Sequence, residues 1–140
     1  MARDRRALQG FSLMEVMVVV VIVGILAAVA IPNYRTTIER GYMREADDLL
    51  MTIYNGERAY YLNTSKYRAL PIGSTMSDWR EIYMDTPNIS TIPITFRVEA
   101  NNSTVPPLFT ATATRTGCSK TKTINENRVS GGTWTNPASC

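Results

Sequence analysis

One carboxylate stands alone in a long apolar stretch near the start of the chain. Residues 11–31 contain no ionisable side chain except that of Glu15. Placing a carboxylate in a membrane helix costs about 2.5–3.5 kcal/mol for Asp at the helix centre and less toward the ends. Such a residue is expected to have a function and a cationic partner. The chemistry that Glu15 can support is therefore ion pairing in apolar surroundings.

The partner of Glu15 depends on where the chain is cut, and three interpretations compete. Cleavage after Ala30, at a small-x-small pattern, would discard the apolar run as a signal peptide and leave a secreted soluble domain. An uncut chain would have a plain membrane anchor. Cleavage after Gly10 would keep the run and create an α-amino group on Phe11, which is largely cationic at neutral pH. Glu15 favours this third interpretation, because the amine of one subunit can pair with the carboxylate of its neighbour.

Glu15 also has a purely structural interpretation. Ser12 and Glu15 have the spacing of a capping box, in which a hydroxyl and a carboxylate accept hydrogen bonds from backbone N–H groups at a helix start. A carboxylate at this end also suits the helix dipole. Capping and pairing are compatible, and both interpretations stay open on the residues alone.

A basic leader, residues 1–10, precedes the apolar run. With Gly10, Phe11, Glu15 and the apolar run, it resembles the signature of the type IV pilin and pseudopilin family, type IVa-like pilins among them. In that family an inner-membrane prepilin peptidase cuts after the Gly and methylates the new N-terminal Phe. The resemblance over residues 10–34 implies processing after Gly10, methylation of Phe11 and assembly through the N-terminal helix. The sequence departs from the family at Gln9, where many members carry Lys or Arg.

Helical spacing predicts the element that carries these residues. As a helix, residues 11–31 would be roughly 30 Å long, enough to cross the hydrocarbon core of a bilayer. Pro32 would end or kink a helix, but we expect the helix to continue over residues 32–62 as an amphipathic segment. Gly41 and Gly56 are interpreted as tolerable interruptions. The apolar positions of this segment are Ile38, Tyr42, Ala46, Leu49, Leu50, Ile53 and Tyr60.

Gly24 and Pro32 bracket a stretch that can lose helical hydrogen bonds cheaply when subunits leave the lipid and pack together. In the pilin family this region loosens in assembled filaments, so the resemblance implies an assembly function for both residues. A simple kink at Pro32 is the alternative.

The remainder of the chain is predicted to form a variable connection and a small sheet. A short helical turn is expected within residues 74–84, with Trp79 and Tyr83 packed inward. Strands are predicted over residues 94–99, 108–114, 122–125 and 129–134, and their short connections imply antiparallel pairing. The pair Gly131-Gly132 is interpreted as a hairpin turn.

The predicted fold class is α+β. A long N-terminal helix, membrane-spanning first and amphipathic afterwards, packs on three or four antiparallel strands, as in pilins. The predicted divisions are a leader (residues 1–10), a membrane and filament-core helix (11–31), its amphipathic continuation (32–62) and the connection, sheet and C-terminal region (63–140).

The two cysteines, Cys118 and Cys140, allow one intrachain disulfide. Two free thiols or an intermolecular bond are the alternatives. A basic leader held inside would place the C-terminal region on the oxidising side of the membrane, where disulfides persist. The resemblance favours the bond, because many pilins close their C-terminal segment in this way.

Composition argues against an enzyme, a cofactor and a metal site. The chain has no histidine, which removes Ser-His-Asp and Cys-His catalysis and any His-ligated metal. After Asp85 the acidic residues are only Glu99 and Glu126, which disfavours a carboxylate-built calcium site. Because the major pseudopilin of type II secretion carries such a calcium loop, this scarcity favours a pilus subunit over that form.

The net charge is +3, but most of it belongs to the leader. Removing residues 1–10 leaves twelve basic against eleven acidic side chains, which weakens an argument for nucleic-acid binding from bulk charge. A local basic patch of Lys120, Lys122 and Arg128 keeps a DNA-binding minor pilin as one alternative. A solvated strand edge is the simpler interpretation of this patch.

The function predicted from sequence is therefore a structural subunit of a type IV pilus that supports adhesion, motility or DNA uptake. A type II secretion pseudopilin is the nearest alternative. The expected partners are other pilin subunits, the prepilin peptidase, an inner-membrane assembly platform and membrane lipid. The expected location is the inner membrane, with the C-terminal domain in the periplasm, and then the extracellular filament.

Overall fold

A computed structural model of the protein describes residues 11–89 and 91–140. The predicted leader, and with it Gly10, lies outside the described residues. The chain divides into two structural units, unit 1 ending at Arg35 and unit 2 running over Thr36–Cys140.

Helix α1 covers Leu13–Thr64 and belongs in part to each unit. It passes through Pro32 without ending, so the predicted amphipathic continuation is confirmed. In the part of the chain that the structure describes, α1 is the one helix long and apolar enough, by length and composition, to cross a membrane.

Unit 2 contains a four-stranded sheet that follows chain order. Its strands are β1 (Ile94–Asn101), β2 (Leu108–Arg115), β3 (Lys120–Asn125) and β4 (Ser130–Gly132). Each strand pairs antiparallel with the next, and the register places Phe96 opposite Ala113 and Ala111 opposite Ile124. With α1, this sheet confirms the predicted α+β pilin fold.

The core of unit 2 lies between α1 and one face of the sheet. Alternation along β1 turns Ile94, Phe96 and Val98 inward, as the period of a half-buried strand requires. The α1 residues in this core include Ala46 and Ile53. The sheet thus buries one face on the amphipathic part of α1.

The connection, defined here as residues 65–93, joins α1 to β1 and contains the short helix α2 (Met76–Arg80). Thr75 and Asp78 form a capping box at the start of α2. Trp79 is fully buried, as predicted. Tyr83 is 66% exposed, so its predicted inward packing is wrong. Its backbone has a φ of 63°, the left-handed conformation, and its hydroxyl accepts a hydrogen bond from Asn63 Nδ2 at 2.9 Å.

Two sequence interpretations of glycine are also wrong. Gly131 and Gly132 lie in β4 rather than in a turn. Gly56 is not a tolerable interruption, because a Cβ there would collide with the carbonyl oxygen of Ile82. This close approach of the connection to α1 requires glycine.

Candidate functional site

Two of the four predicted assembly residues, Phe11 and Glu15, lie at the start of α1, whereas Gly24 and Pro32 lie further along the helix. Helix α1 begins at Leu13, and Val16 N–H donates to the Ser12 carbonyl at 3.2 Å. Ser12 therefore occupies the N-cap position and Glu15 the third helical position, where a carboxylate suits the helix dipole. Phe11 directly precedes this turn, and its side chain is 82% exposed.

The large apolar side chains of α1 from Leu13 to Ile31 are exposed on all sides of the helix. Every large apolar residue from Val16 to Ile31 is at least half exposed. A continuous exposed apolar surface on a protein marks contact with lipid or with another protein. A shallow groove on this surface is lined entirely by apolar residues: Met14, Met17, Val18, Val21 and Ile22. Glu15 is the one ionisable side chain near this surface among residues 11–31.

Gly24 and Pro32 both lie in the interior of α1. A Cβ at Gly24 would meet no atom within 4 Å, so packing within the chain does not require glycine there. Proline has no N–H to give to the carbonyl four residues before it. Glycine has a low helix propensity, and Pro32 lacks a helical N–H donor directly after the apolar segment, residues 11–31.

An ion pair fixes the sheet to α1 near the beginning of unit 2. Arg115 Nη2 lies 2.6 Å from Glu39 Oε1, and the two side chains are only 15% and 13% exposed. The Arg115 guanidinium also donates to the Pro93 carbonyl at 3.2 Å and lies 4.8 Å from the centre of the Tyr42 ring. The hydrogen bond with Glu39 raises the pKa of Arg115. This cluster attaches the end of β2 and the start of β1 to the helix.

The predicted basic patch does not form. Lys122 Nζ donates to Asp47 Oδ1 at 2.6 Å, and its side chain is only 16% exposed, so its charge is neutralised on α1. Lys120 begins β3, whereas Arg128 follows the other end of that strand. A six-residue strand is roughly 17 Å long. The three cations therefore present no common surface for a phosphate backbone.

The C-terminal region is closed by the predicted disulfide between Cys118 and Cys140. The loop it closes contains β3, β4 and the buried Trp134, whose backbone N–H donates to the Thr121 carbonyl at 2.9 Å. A Cβ at Gly132 would collide with that same carbonyl, so glycine permits this close packing.

The sequence interpretation missed a buried carboxylate on α1. Glu57 is fully buried, and its Oε2 accepts a hydrogen bond from the Arg68 backbone N–H at 2.9 Å. Burial raises the pKa of Glu57 from its usual value near 4.5 to about 7. The sequence did contain a signal for this burial. Glu57 lies seven residues after Leu50 and four after Ile53, which places it on the predicted apolar face of the helix.

The described residues contain no group of three His, Cys, Asp or Glu side chains that could hold a metal ion. The arrangement instead combines an exposed apolar helix, which carries one carboxylate, with a compact unit fastened by ion pairs and a disulfide.

Comparison with known proteins matches this N-terminal segment. Residues 5–31 match the family model of the prokaryotic N-terminal methylation motif. A type IV major pilin protein of Myxococcus xanthus is 39% identical over 59 residues, which are 42% of this chain and 27% of that protein. A type IV major pilin protein of Neisseria gonorrhoeae is 31% identical over 96 residues, which are 66% of this chain and 45% of that protein.

A secretion protein is also similar to this chain. The type II secretion system core protein G of Aeromonas hydrophila is 36% identical over 64 residues, which are 46% of this chain and 45% of that protein. The matched segments thus span less than half the length of each of these three relatives. These relatives carry the names of pilus and secretion proteins rather than of enzymes. No solved structure matches this chain.

Proposed function

We propose that this chain, a member of the type IV pilin and pseudopilin family, is a structural subunit of a bacterial type IV pilus. The observation that supports this most is the exposed apolar surface of α1 within the N-terminal methylation motif. A helix of this kind is stored in a bilayer and then buried among its own copies. The protein acts by assembly rather than by catalysis.

Maturation begins with cleavage after Gly10 by a prepilin peptidase and methylation of the new Phe11 amine. The apolar segment, residues 11–31, then anchors the subunit in the inner membrane, and unit 2 lies in the periplasm. An assembly platform moves the subunit from lipid into the filament. Unit 2 forms the outer surface, which supports adhesion, motility or DNA uptake.

Charge pairing sets the position of each new subunit along the filament. The carboxylate of Glu15 faces the α-amino group of Phe11 on a neighbouring copy, so that both charges are neutralised in an apolar environment. Gly24 and Pro32 allow the helix to loosen locally as the apolar segments pack. Ser12 and Glu15 also hold capping positions, so the same carboxylate serves the helix start before assembly.

The intact mass and N-terminal sequence of the mature protein test this proposal. We expect a chain that starts at Phe11 and carries one methyl group. A chain that starts at Ile31 would contradict the proposal, because it would lack the apolar segment on which assembly depends.

The match to the Aeromonas hydrophila core protein G supports a second candidate, a pseudopilin of a type II secretion system. Deletion of the gene in its native bacterium separates the two. Loss of surface filaments with normal protein secretion supports the pilus subunit, whereas retention of secreted proteins inside the cell supports the pseudopilin.

A further inference from the structure

Glu57 is a buried carboxyl group that assembly does not use. One of its oxygens, Oε2, accepts the Arg68 N–H bond, while Oε1 is buried and has no hydrogen-bond partner among the described residues. A carboxylate buried with one unsatisfied oxygen is costly, whereas a neutral carboxyl group avoids most of that cost. The protonation state of Glu57 therefore affects how firmly its surroundings close.

Glu57 lies against the connection, residues 65–93. Within the connection, the backbone N–H of Arg68 donates to Glu57, and the carbonyl of Ile82 lies against Gly56, the residue before Glu57 on α1. Trp79 and Ile82, both in this segment, have fully buried side chains. Apolar contact, the close backbone approach and the hydrogen bond to Glu57 thus hold the connection on α1, and the backbone pair of Leu70 and Val98 holds it on β1.

The charged groups around Glu57 do not compensate for the cost of burying an ionised carboxylate. The Arg68 guanidinium attracts it, but this cation is already engaged by Glu81 at 3.1 Å and by Asp78 at 3.5 Å. Arg58, the next residue on α1, points its guanidinium to the Tyr67 hydroxyl at 3.5 Å. The β1 residues in the same core, Phe96 and Val98, are uncharged. Desolvation therefore outweighs attraction at this site.

We propose that Glu57 is a proton-operated latch, which holds residues 66–82 on α1 while it is neutral and releases them when it ionises. Opening would expose Trp79 and Ile82, so the apolar surface of the subunit would change with pH. This property belongs to unit 2 and does not depend on the pilus assignment.

The sign of the effect follows from linkage. Burial raises the pKa of Glu57 to about 7, whereas in the open connection it returns to its usual value near 4.5. The closed state therefore binds the proton more tightly than the open state does. Closure is fully favoured below about pH 4.5, weakens as the pH rises toward 7 and levels off above it.

Hydrogen exchange of the full-length chain in micelles of an uncharged detergent tests the latch. We expect the protection of amides 66–82, corrected for intrinsic exchange, to fall at least tenfold between pH 5 and pH 8, since each unit of pKa difference is a factor of ten. Amides of β2 and β3 serve as an internal reference and should change less than about twofold over the same range.

Two variants separate the latch from general pH effects. Glu57→Gln can still accept the Arg68 N–H bond but cannot ionise, so its protection should be independent of pH. The matched control Glu99→Gln removes an exposed acid on β1 that pairs with Arg97 rather than with Arg68, and it should keep the wild-type pH dependence. A wild-type profile that is flat, shared by β2 and β3, or unchanged in Glu57→Gln overturns the proposal.

A second measurement does not depend on either Glu variant. Trp134→Phe leaves Trp79, whose side chain is buried within the connection, as the one tryptophan of the chain. We expect acrylamide quenching of Trp79 to increase at least twofold from pH 5 to pH 8. Quenching that stays constant over this range would contradict opening of the connection.

Discussion

Unit 2 buries a set of large apolar side chains in a core of its own, whereas the described part of unit 1 leaves those of α1 exposed. In unit 2, Ile53, Trp79 and Phe96 have almost no solvent exposure. In unit 1, residues of the same kinds, such as Val20 and Ile25, are more than 60% exposed. Each unit contains part of α1, but only in unit 2 does a sheet pack on its part of the helix.

This difference indicates where stability and function are located. Burial of apolar surface is the main favourable term in folding, so unit 2 contains what it needs to fold. In the proposed function, lipid or other copies cover the apolar surface of unit 1 instead. Changes in unit 1 should therefore affect assembly, and changes in unit 2 should affect stability. Four predictions test this separation, in order of decreasing effect.

Replacement of Glu15 should have the largest effect of the four changes. It should reduce assembly into filaments without reducing insertion into the membrane. We expect Glu15→Ala to reach the membrane normally, because it removes a charge from an apolar segment. Incorporation into filaments should fall at least tenfold, since breaking a buried charge pair costs about 3–5 kcal/mol. Immunoblots of sheared filaments measure the assembled protein, and immunoblots of membranes measure the inserted protein.

The control for this prediction is Glu99→Ala, which removes an exposed acid on β1 in unit 2. It should leave the amounts of assembled and inserted protein unchanged. Normal polymerisation of Glu15→Ala would remove the pairing hypothesis.

Loss of the disulfide should have the largest effect on the stability of unit 2. Replacing Cys118 and Cys140 by Ser opens a loop with a sequence separation of 22. The expected loss of unfolding free energy is about 3 kcal/mol in the chain-entropy model. Urea unfolding of the full-length chain, followed by tryptophan fluorescence, measures it. Membrane insertion should be unaffected, and a variant of wild-type stability would contradict the prediction.

Two glycines of α1 should respond in opposite directions. Gly56→Ala places a methyl group against the Ile82 carbonyl and should destabilise unit 2 by about 2 kcal/mol, as overpacking does. Gly41→Ala meets no atom within 4 Å and should stabilise the helix by up to about 1 kcal/mol. Denaturant midpoints of the two variants provide the comparison. Equal effects would show that the close approach at Gly56 does not matter.

The two ion pairs between α1 and the sheet should contribute unequally. A double-mutant cycle with Ala should give a coupling of about 1–2 kcal/mol for Glu39 and Arg115, whose side chains are largely buried. The pair of Asp47 and Lys122 should give less than about 1 kcal/mol, because the Asp47 side chain is 55% exposed. High salt should reduce the second coupling more than the first. A larger coupling for the exposed pair would contradict this ranking.

Much of the architecture could be predicted because its signals are local. The length of the apolar run, its lone acid and the two-residue alternation of β1 are each visible within a few adjacent residues. The continuation of α1 past Pro32 was predictable for the same reason, since helical spacing resumes directly after it. The type of each element was more evident than its ends: β4 covers only three residues of the predicted fourth strand.

Side-chain partners were not predictable where they are distant in the chain. Lys122 pairs with Asp47 across 75 positions, which removes the basic patch that its sequence neighbours suggested. Tyr83 faces outward and has a left-handed backbone angle, neither of which a hydrophobic pattern records. Gly56 is explained only by the return of the connection to α1.

The amino-acid order alone settled that this protein has an apolar helix with a single acid, an amphipathic continuation and a small antiparallel sheet. These properties follow from the preference of each short segment for water or for an apolar environment. Tertiary packing decided that Glu57 is buried, that Lys122 is neutralised and that glycine is required at position 56. Burial and pairing depend on which distant segments meet, and that is a property of the folded chain.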